Sequence, residues 1–130
     1  MNQTRFLSMV FLLIAGAAFQ CRPHVTKPTT LTGKLVINEP CGHYVIQVLS
    51  KDIDPRLVTA SWKDSIGDIL YTNVFTVSNA CDFEGRTLAT NDNFSFRIND
   101  TVIVQNCMLC DIFYPTPPTR NVVTHVQRVN

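Results

Sequence analysis

The sequence has few of the features that identify an enzyme or a nucleic-acid-binding protein. Only five of its 130 residues are glycine, which leaves no glycine-rich loop to hold a phosphate. Eleven Lys and Arg balance ten Asp and Glu without any block of one sign, whereas nucleic-acid binding needs a basic surface. Serine nucleophile elbows, HExxH segments and paired-carboxylate signatures are also absent. We therefore expect neither an enzyme nor a nucleic-acid binder, and no cofactor.

The N-terminus carries a long apolar run. Arg5 and the amino terminus form a small positive region, and the fourteen residues at 6–19 then have the sequence FLSMVFLLIAGAAF. This length is typical of the apolar part of a signal peptide and is too short to cross a bilayer as a helix. The pattern predicts a signal peptide over residues 1–20 and export of the rest of the chain.

Two kinds of cleavage remain open at the end of this segment. Small residues at 15–18 suit an ordinary signal peptidase, whereas cleavage before Cys21 would produce a lipid-modified cysteine, as in bacterial lipoproteins. Gln20 stands where a lipoprotein signal usually has a small residue. The five cysteines favour lipidation nevertheless, because a lipid on Cys21 leaves an even set of four. We predict a lipid anchor on Cys21 that attaches the chain to a membrane.

The remainder of the chain has the pattern of a polar tether followed by one β domain. Residues 21–30 are polar and contain two prolines, which is typical of an extended linker. From residue 31 onward, short apolar or alternating segments are separated by turn residues, with no helical periodicity over three turns. Strands are predicted at residues 31–38, 43–50, 58–62, 69–78, 94–98, 101–105, 111–114 and 121–129.

These strand signals predict a single all-β domain over residues 31–130. A small OB-like barrel of five or six strands is the favoured architecture, because a long apolar strand at 43–50 follows a short strand that contains glycine. An immunoglobulin-like β-sandwich is the alternative. Asp54-Pro55 is expected to start one helical turn between two of the strands.

The four cysteines of this domain are its most informative residues. They are Cys41, Cys81, Cys107 and Cys110. If strands that are neighbours in sequence pair with each other, strand direction brings all four to one end of the sheet. Structural disulfides are the leading interpretation in an exported small domain. We expect Cys41 and Cys81 each to bond to the segment 107–110, although sequence alone cannot fix the pairing.

The CxxC spacing of Cys107 and Cys110 leaves two alternatives open. One is a zinc site, for which this pair supplies half of a common ligand motif. The other is a thiol-redox pair, which normally opens a helix after a strand. The following residues, DIFYP, indicate a strand and then a proline instead of a helix.

Three aromatic residues are candidates for a ligand-binding surface. Trp62, Tyr71 and Tyr114 lie on or beside predicted strands, and OB-like folds use such residues to bind oligosaccharides. The alternative is that they pack into the core, as aromatic residues on strands often do. The ligand would be a protein, a peptide or a glycan.

Other polar residues predict no site. His24, His43 and His125 are widely spaced and share no motif, so neither a catalytic nor a metal-binding role follows from them. Asp52 and Asp54 alternate as in a calcium loop, but the glycine and distal glutamate of that motif are missing. A solvated loop is the expected structure.

The order of segments resembles the small lipoproteins of Bacteroidetes-type bacteria, a group without an assigned activity. The segments that carry the resemblance are LLIAGAAFQC, the separate Cys41, NVFTVSNACDF, DNFSFRI and CMLCDIFYPTPP. The resemblance implies a cell-envelope location and a β-barrel-like domain, and it carries over no catalytic residue. In this group surface-exposed members tend to have acidic residues after the lipidated cysteine. Arg22-Pro23-His24 follows here, which implies a periplasm-facing position, with simple secretion as the alternative.

Overall fold

The computed structural model describes residues 29–101, 107 and 111–129. The predicted signal peptide, Cys21, most of the tether, Cys110 and residues 102–105 of one predicted strand lie outside this part of the chain. Among the described residues, no helix combines the length and apolar character needed to cross a membrane.

Six strands and one short helix make up the described chain. The strands are β1 (Leu31–Glu39), β2 (His43–Val48), β3 (Thr59–Asp64), β4 (Ile69–Val77), β5 (Asn93–Asn99) and β6 (Arg120–Arg128). The helix α1 (Ala80–Glu84) follows β4, and a 3-10 turn at Pro55–Leu57 precedes β3. The Asp54 side chain caps this turn by accepting a hydrogen bond from the Arg56 N–H, which confirms the helical turn predicted there.

The strands form one sheet that closes on itself. Its order is β2-β1-β5-β6-β4-β3, and an additional pairing of β2 with β4 closes β1, β2, β4, β6 and β5 into a ring. All pairings are antiparallel except that of β4 with β6. Strand β3 lies outside the ring and pairs with β4. The predicted all-β, OB-like barrel is therefore confirmed.

Gly33 allows the wall of the barrel to bend sharply in β1. A Cβ atom at this position would lie 2.7 Å from Cε1 of Phe96 and 2.9 Å from Cγ2 of Ile46. The register of β1 against β2 also shifts between Leu35 and Ile37, as a β-bulge produces. A glycine followed by a bulge lets one strand pair with β2 and β5 around the curved wall.

The interior of the barrel is filled by apolar side chains with several aromatic rings at the centre. Phe75, Phe94 and Phe96 are fully buried. The Phe96 ring centroid lies 5.9 Å from that of Phe75 and 5.6 Å from that of Phe94, in the tilted arrangement that aromatic pairs prefer. Asn79 is also buried, but its amide is satisfied because it donates to the Val123 carbonyl and accepts from the Val123 N–H. This side chain continues the pairing of β4 with β6 past the end of β4.

Three expectations from the sequence differ from the structure. Strand β5 pairs with β1 and β6 and not with β4, so the assumption that all sequence neighbours pair was wrong there. The helix α1 was not expected, because five residues are too few to show a helical period. The strand predicted at 111–114 is also wrong, since this stretch has no regular structure. Three prolines follow it at 115–118 and cannot donate to a sheet.

Candidate functional site

One disulfide joins the short helix to the connection between β5 and β6. Cys81 lies in α1, and its partner Cys107 lies 26 residues later in the chain. Their Cα atoms are 5.6 Å apart, within the usual range for a disulfide. The prediction that Cys81 bonds into the segment 107–110 is confirmed. Because Phe83 of the same helix is buried in the barrel, the bond fixes an element that closes the interior.

Cys41 is disulfide-bonded as well. It lies in the turn between β1 and β2, and its partner is outside the described residues because Cys81 and Cys107 bond to each other. The wider prediction, that all four cysteines meet at one end of the sheet, therefore stays a prediction at Cys110.

The disulfides limit what the CxxC segment can do. Cys107 is bonded to Cys81, so in this structure Cys107 and Cys110 do not form the bond of a thiol-redox pair. Zinc binds thiolates, and neither Cys41, Cys81 nor Cys107 is a thiolate here. Within the described ranges, no group of three or more His, Cys, Asp or Glu side chains is placed to hold a metal ion.

The candidate binding surface is an aromatic cluster on the outside of the barrel. Trp62 of β3 and Tyr71 of β4 lie directly opposite each other in the ladder, with ring centroids 6.1 Å apart and ring planes within 17° of parallel. Both side chains are half-buried. With Tyr114 they pack against a small apolar layer made of Val36, Ile37, Val45 and Val74. We call Trp62, Tyr71 and Tyr114 the outer aromatic surface.

A left-handed backbone residue places Tyr71 on this surface. In a regular strand, residues 71 and 74 would lie on opposite faces because side chains alternate. Asn73, which lies between them, has a φ of 52°, a conformation that Asn tolerates better than most residues. The alternation is thereby broken, and Tyr71 and Val74 belong to the same cluster.

Asp64 anchors the tip of the β3–β4 hairpin beside this surface. Its carboxylate is buried and accepts hydrogen bonds of 3.0 Å from the N–H groups of Ile66 and Gly67. Such bonds satisfy a buried carboxylate and fix the turn. The same carboxylate gives the outer aromatic surface a negative neighbour.

The charge of Asp64 affects the pKa values of the two tyrosines of the outer aromatic surface. Burial raises the pKa of Tyr71, and the negative charge of Asp64 raises it further. The pKa of Tyr114 is raised by burial and then by the carboxylates of Asp64 and Glu39. A hydrogen bond from the Tyr114 hydroxyl to the Asp64 side chain adds to the rise in the pKa of Tyr114. Both phenols are therefore protonated at neutral pH, and the single O–H donor of Tyr114 is directed at Asp64.

Tyr114 also lines a cavity of about 390 Å³. His43 and Arg120 contribute the cationic or polar side chains of its lining, and Phe113 and residues 115–118 contribute the rest. Hydrogen bonds to β2 and β4 hold the segment around Tyr114 in place. Nε2 of His43 bonds to the Ile112 carbonyl, the Thr76 hydroxyl donates to the Pro117 carbonyl, and the Thr76 N–H donates to the Thr119 carbonyl.

A second cavity, of about 540 Å³, lies at the end of the barrel where β1 begins and β5 ends. Its polar lining includes Asp52, Asp54, Arg56 and Asp100. Asp54 is bonded to Arg56, which lowers the pKa of this carboxyl to about 2. Asp54 thus has a local structural role in capping the turn. Asp52 is exposed and Asp54 is half-buried, in agreement with the expected solvated loop.

The histidines are dispersed in the fold, in agreement with their spacing in the sequence. His43 lines the cavity beside Tyr114, whereas the His125 ring is hydrogen-bonded to its neighbour Thr124. His24 lies outside the described residues. Sequence reasoning missed that His43 and Arg120 share a cavity, because β2 and β6 come close only through their separate pairings with β4.

No protein-family model, curated protein or solved structure matches this chain. Its function is therefore argued from its own residues, because a fold class by itself does not define an activity.

Proposed function

We propose that this chain is an exported, non-enzymatic binding module of the bacterial cell envelope, stabilised by disulfides and attached to the membrane by a lipid on Cys21. The observation that carries the proposal is the Cys81–Cys107 disulfide, together with the bonded state of Cys41. Structural disulfides persist in oxidising compartments such as the periplasm. The apolar run at 6–19 provides the route of export.

The resemblance to small envelope lipoproteins supports the anchor. With Cys81 and Cys107 bonded to each other and Cys41 bonded to a further cysteine, a lipid on Cys21 would leave no cysteine of the five unpaired.

A thiol and metal measurement tests the disulfide part of the proposal. The full chain is isolated from the envelope fraction, unfolded without reductant and treated with an alkylating reagent, and its zinc content is measured in parallel. We expect no alkylation at Cys41, Cys81 or Cys107 and no stoichiometric zinc. Thiols that become reactive only after removal of bound zinc would overturn the proposal in favour of a zinc-binding protein.

Metabolic labelling with an alkyne-tagged fatty acid tests the anchor. We expect label on the native chain and none on Cys21→Ser. Gln20→Ala provides a further test, because a small residue before Cys21 should raise the fraction of the chain that is labelled. An unlabelled, cleaved chain in the soluble fraction would contradict lipidation and indicate simple secretion.

The outer aromatic surface is the proposed place of ligand binding. Trp62 and Tyr71 lie side by side with nearly parallel rings and are only half-buried, which suits stacking against a sugar ring or a peptide side chain. Trp62 is the only tryptophan of the chain, so its fluorescence reports on this surface alone. Titration with oligosaccharide and peptide panels should change that fluorescence, and Tyr71→Ala should weaken the response.

A further inference from the structure

We propose that the cavity beside Tyr114 binds a small organic carboxylate with an apolar body. This inference rests on the proposed role as a binding module and specifies the ligand chemistry of one part of it. The cavity lies next to the outer aromatic surface because Tyr114 belongs to both.

Arg120 is the residue that selects a negative charge. Of the five arginines in the described part of the chain, the other four bond to an acceptor: Arg56 to Asp54, Arg86 to the Val126 carbonyl, Arg97 to Thr30 and Arg128 to Asp92. Within those same residues, the Arg120 side chain has no hydrogen-bond or ion-pair partner. A guanidinium with free donors is well suited to a carboxylate, which it can bind through two parallel hydrogen bonds.

The charge of the lining distinguishes this cavity from the larger one. None of its lining residues is acidic, whereas the other cavity is lined by three aspartates with a single arginine that is already paired. Of these two cavities of the described residues, the one beside Arg120 therefore offers a carboxylate the complementary charge.

The walls of the cavity define the rest of the ligand. Phe113 is 87% exposed, the largest exposure among the large apolar side chains of the described chain, and Pro115, Pro117 and Pro118 supply rigid apolar faces. A ligand with an aromatic or aliphatic body would remove the Phe113 ring from water, which is favourable in proportion to the apolar area covered. The volume of about 390 Å³ accommodates a small molecule.

Hydrogen bonds hold the backbone around the cavity in the absence of a ligand. The Ile112 carbonyl can only accept, so Nε2 of His43 donates this 2.7 Å hydrogen bond and ties β2 to the segment that carries Phe113. The His43 ring also contacts the Tyr114 ring at a centroid distance of 5.9 Å. On the other side, Thr76 holds the Pro117 and Thr119 carbonyls. Walls that are held in this way lower the ordering cost of binding.

Titration of the ¹⁵N-labelled full chain by NMR tests the proposal. The chain is purified with its disulfides intact, and the probe is N-acetyl-L-phenylalanine, with the corresponding primary amide as its uncharged isostere. We expect shifts centred on the amides of Phe113, Tyr114 and Arg120, and binding of the amide at least about tenfold weaker, as loss of a charge-assisted hydrogen bond implies.

Matched variants separate the role of Arg120 from a general charge effect. Arg120→Gln should weaken binding of the carboxylate about tenfold to a hundredfold and leave binding of the amide unchanged. Arg97→Gln removes the same charge from β5, outside the cavity lining, and should have no effect. Phe113→Ser should weaken both probes. The dispersion of each spectrum shows whether the variant is folded.

Three results would overturn the inference: equal binding of acid and amide, no loss on Arg120→Gln, or equal binding of glucuronate, which has a carboxylate but a polar body. A tripeptide with a C-terminal phenylalanine distinguishes a chain terminus from a free acid, and either source supports the inference. The thiol measurement is independent of the titration. A chain with intact disulfides that binds no probe would reject only this ligand, whereas free thiols with zinc would reject the proposed function itself.

Discussion

Neighbouring residues of the same strands contribute to two differently built clusters. In β2, Ile46 lies in the barrel interior and Val45 in the outer layer, and in β4 the same holds for Phe75 and Val74. The interior cluster has fully buried aromatic rings, whereas the aromatic rings of the outer cluster are half-buried beside carboxylates. The comparison shows that the rings of the interior face are closed off from water, whereas the outer face carries aromatic rings that water still reaches.

Removing an aromatic ring from each cluster should have the most unequal effect. Phe96→Ala leaves a cavity among Phe75 and Phe94 and should lower the free energy of unfolding by about 3–5 kcal/mol. Trp62→Ala removes a half-buried ring that water already reaches, with an expected cost of about 1–2 kcal/mol. Urea denaturation measures both. Equal costs would show that the outer aromatic surface is part of the core.

Removal of the disulfide tests what holds the interior closed. The double variant Cys81→Ala/Cys107→Ala releases a crosslink over 26 residues, for which chain entropy predicts a loss of about 3.5 kcal/mol. Because α1 packs Phe83 into the interior, we expect the ring signals of Phe83 and Tyr44 to change in NMR spectra. The environment of Trp62 should stay as it is. A change confined to Trp62 would contradict the view that the disulfide acts on the barrel interior and not on the outer aromatic surface.

Gly33 and Gly85 form a matched pair for the packing of the wall. A methyl group at Gly33 meets Phe96 and Ile46 at less than 3.0 Å, so Gly33→Ala should cost about 1–3 kcal/mol through overpacking. At Gly85 a Cβ atom has nothing within 4 Å and the φ of −70° is helical, so Gly85→Ala should be neutral or stabilise by up to about 1 kcal/mol. Similar midpoints of thermal unfolding for the two variants would refute the close approach in β1.

The three tyrosines provide the smallest and most local contrast. The pKa of Tyr44 is raised by burial and by Glu84, whereas the pKa values of Tyr71 and Tyr114 are raised by burial and by Asp64. Asp64→Asn should therefore lower the pKa of Tyr71 and Tyr114 and leave that of Tyr44 unchanged. Titration of the ¹³Cζ resonances resolves the three residues. An equal response of all three would mean that Asp64 does not act locally.

These raised pKa values also fix the sign of the pH dependence. A phenol with a raised pKa stays protonated up to a higher pH in the folded chain than in the unfolded chain. The folded chain therefore binds more protons, and its stability falls as the pH rises above the ordinary tyrosine pKa of 10.0. The contribution is complete below that pH and is lost as the pH passes the raised pKa values. Asp64→Asn should reduce the slope of this loss.

Strand positions were predictable from sequence because apolar alternation is local. The alternating Phe94 and Phe96 of β5 and the apolar run of β2 correspond to strands of the structure within a few residues. The closure of the ring was harder to foresee, because β5 pairs with β1 about sixty residues earlier in the chain. The sequence also did not show that Asn73 breaks the alternation of β4.

The candidate site was predictable in part. Trp62 and Tyr71 were identified from residue type, and their pairing follows from the short hairpin between β3 and β4. The cavity beside Tyr114 could not be predicted, because its lining depends on a segment at 111–118 that was expected to contain a strand and has no regular structure. Sequence also does not show which arginine lacks a partner. The structure shows this, because the other four described arginines each bond to an acceptor.

Acrylamide quenching of the Trp62 fluorescence tests the central claim most directly, because this is the only tryptophan of the chain. The claim is that the outer face of the barrel wall carries a half-open aromatic surface. We predict quenching of the folded chain that is intermediate between that of the urea-unfolded chain and that of a fully buried indole. A fluorescence that acrylamide does not reach until the chain unfolds would contradict the claim, since Trp62 would then belong to a closed core.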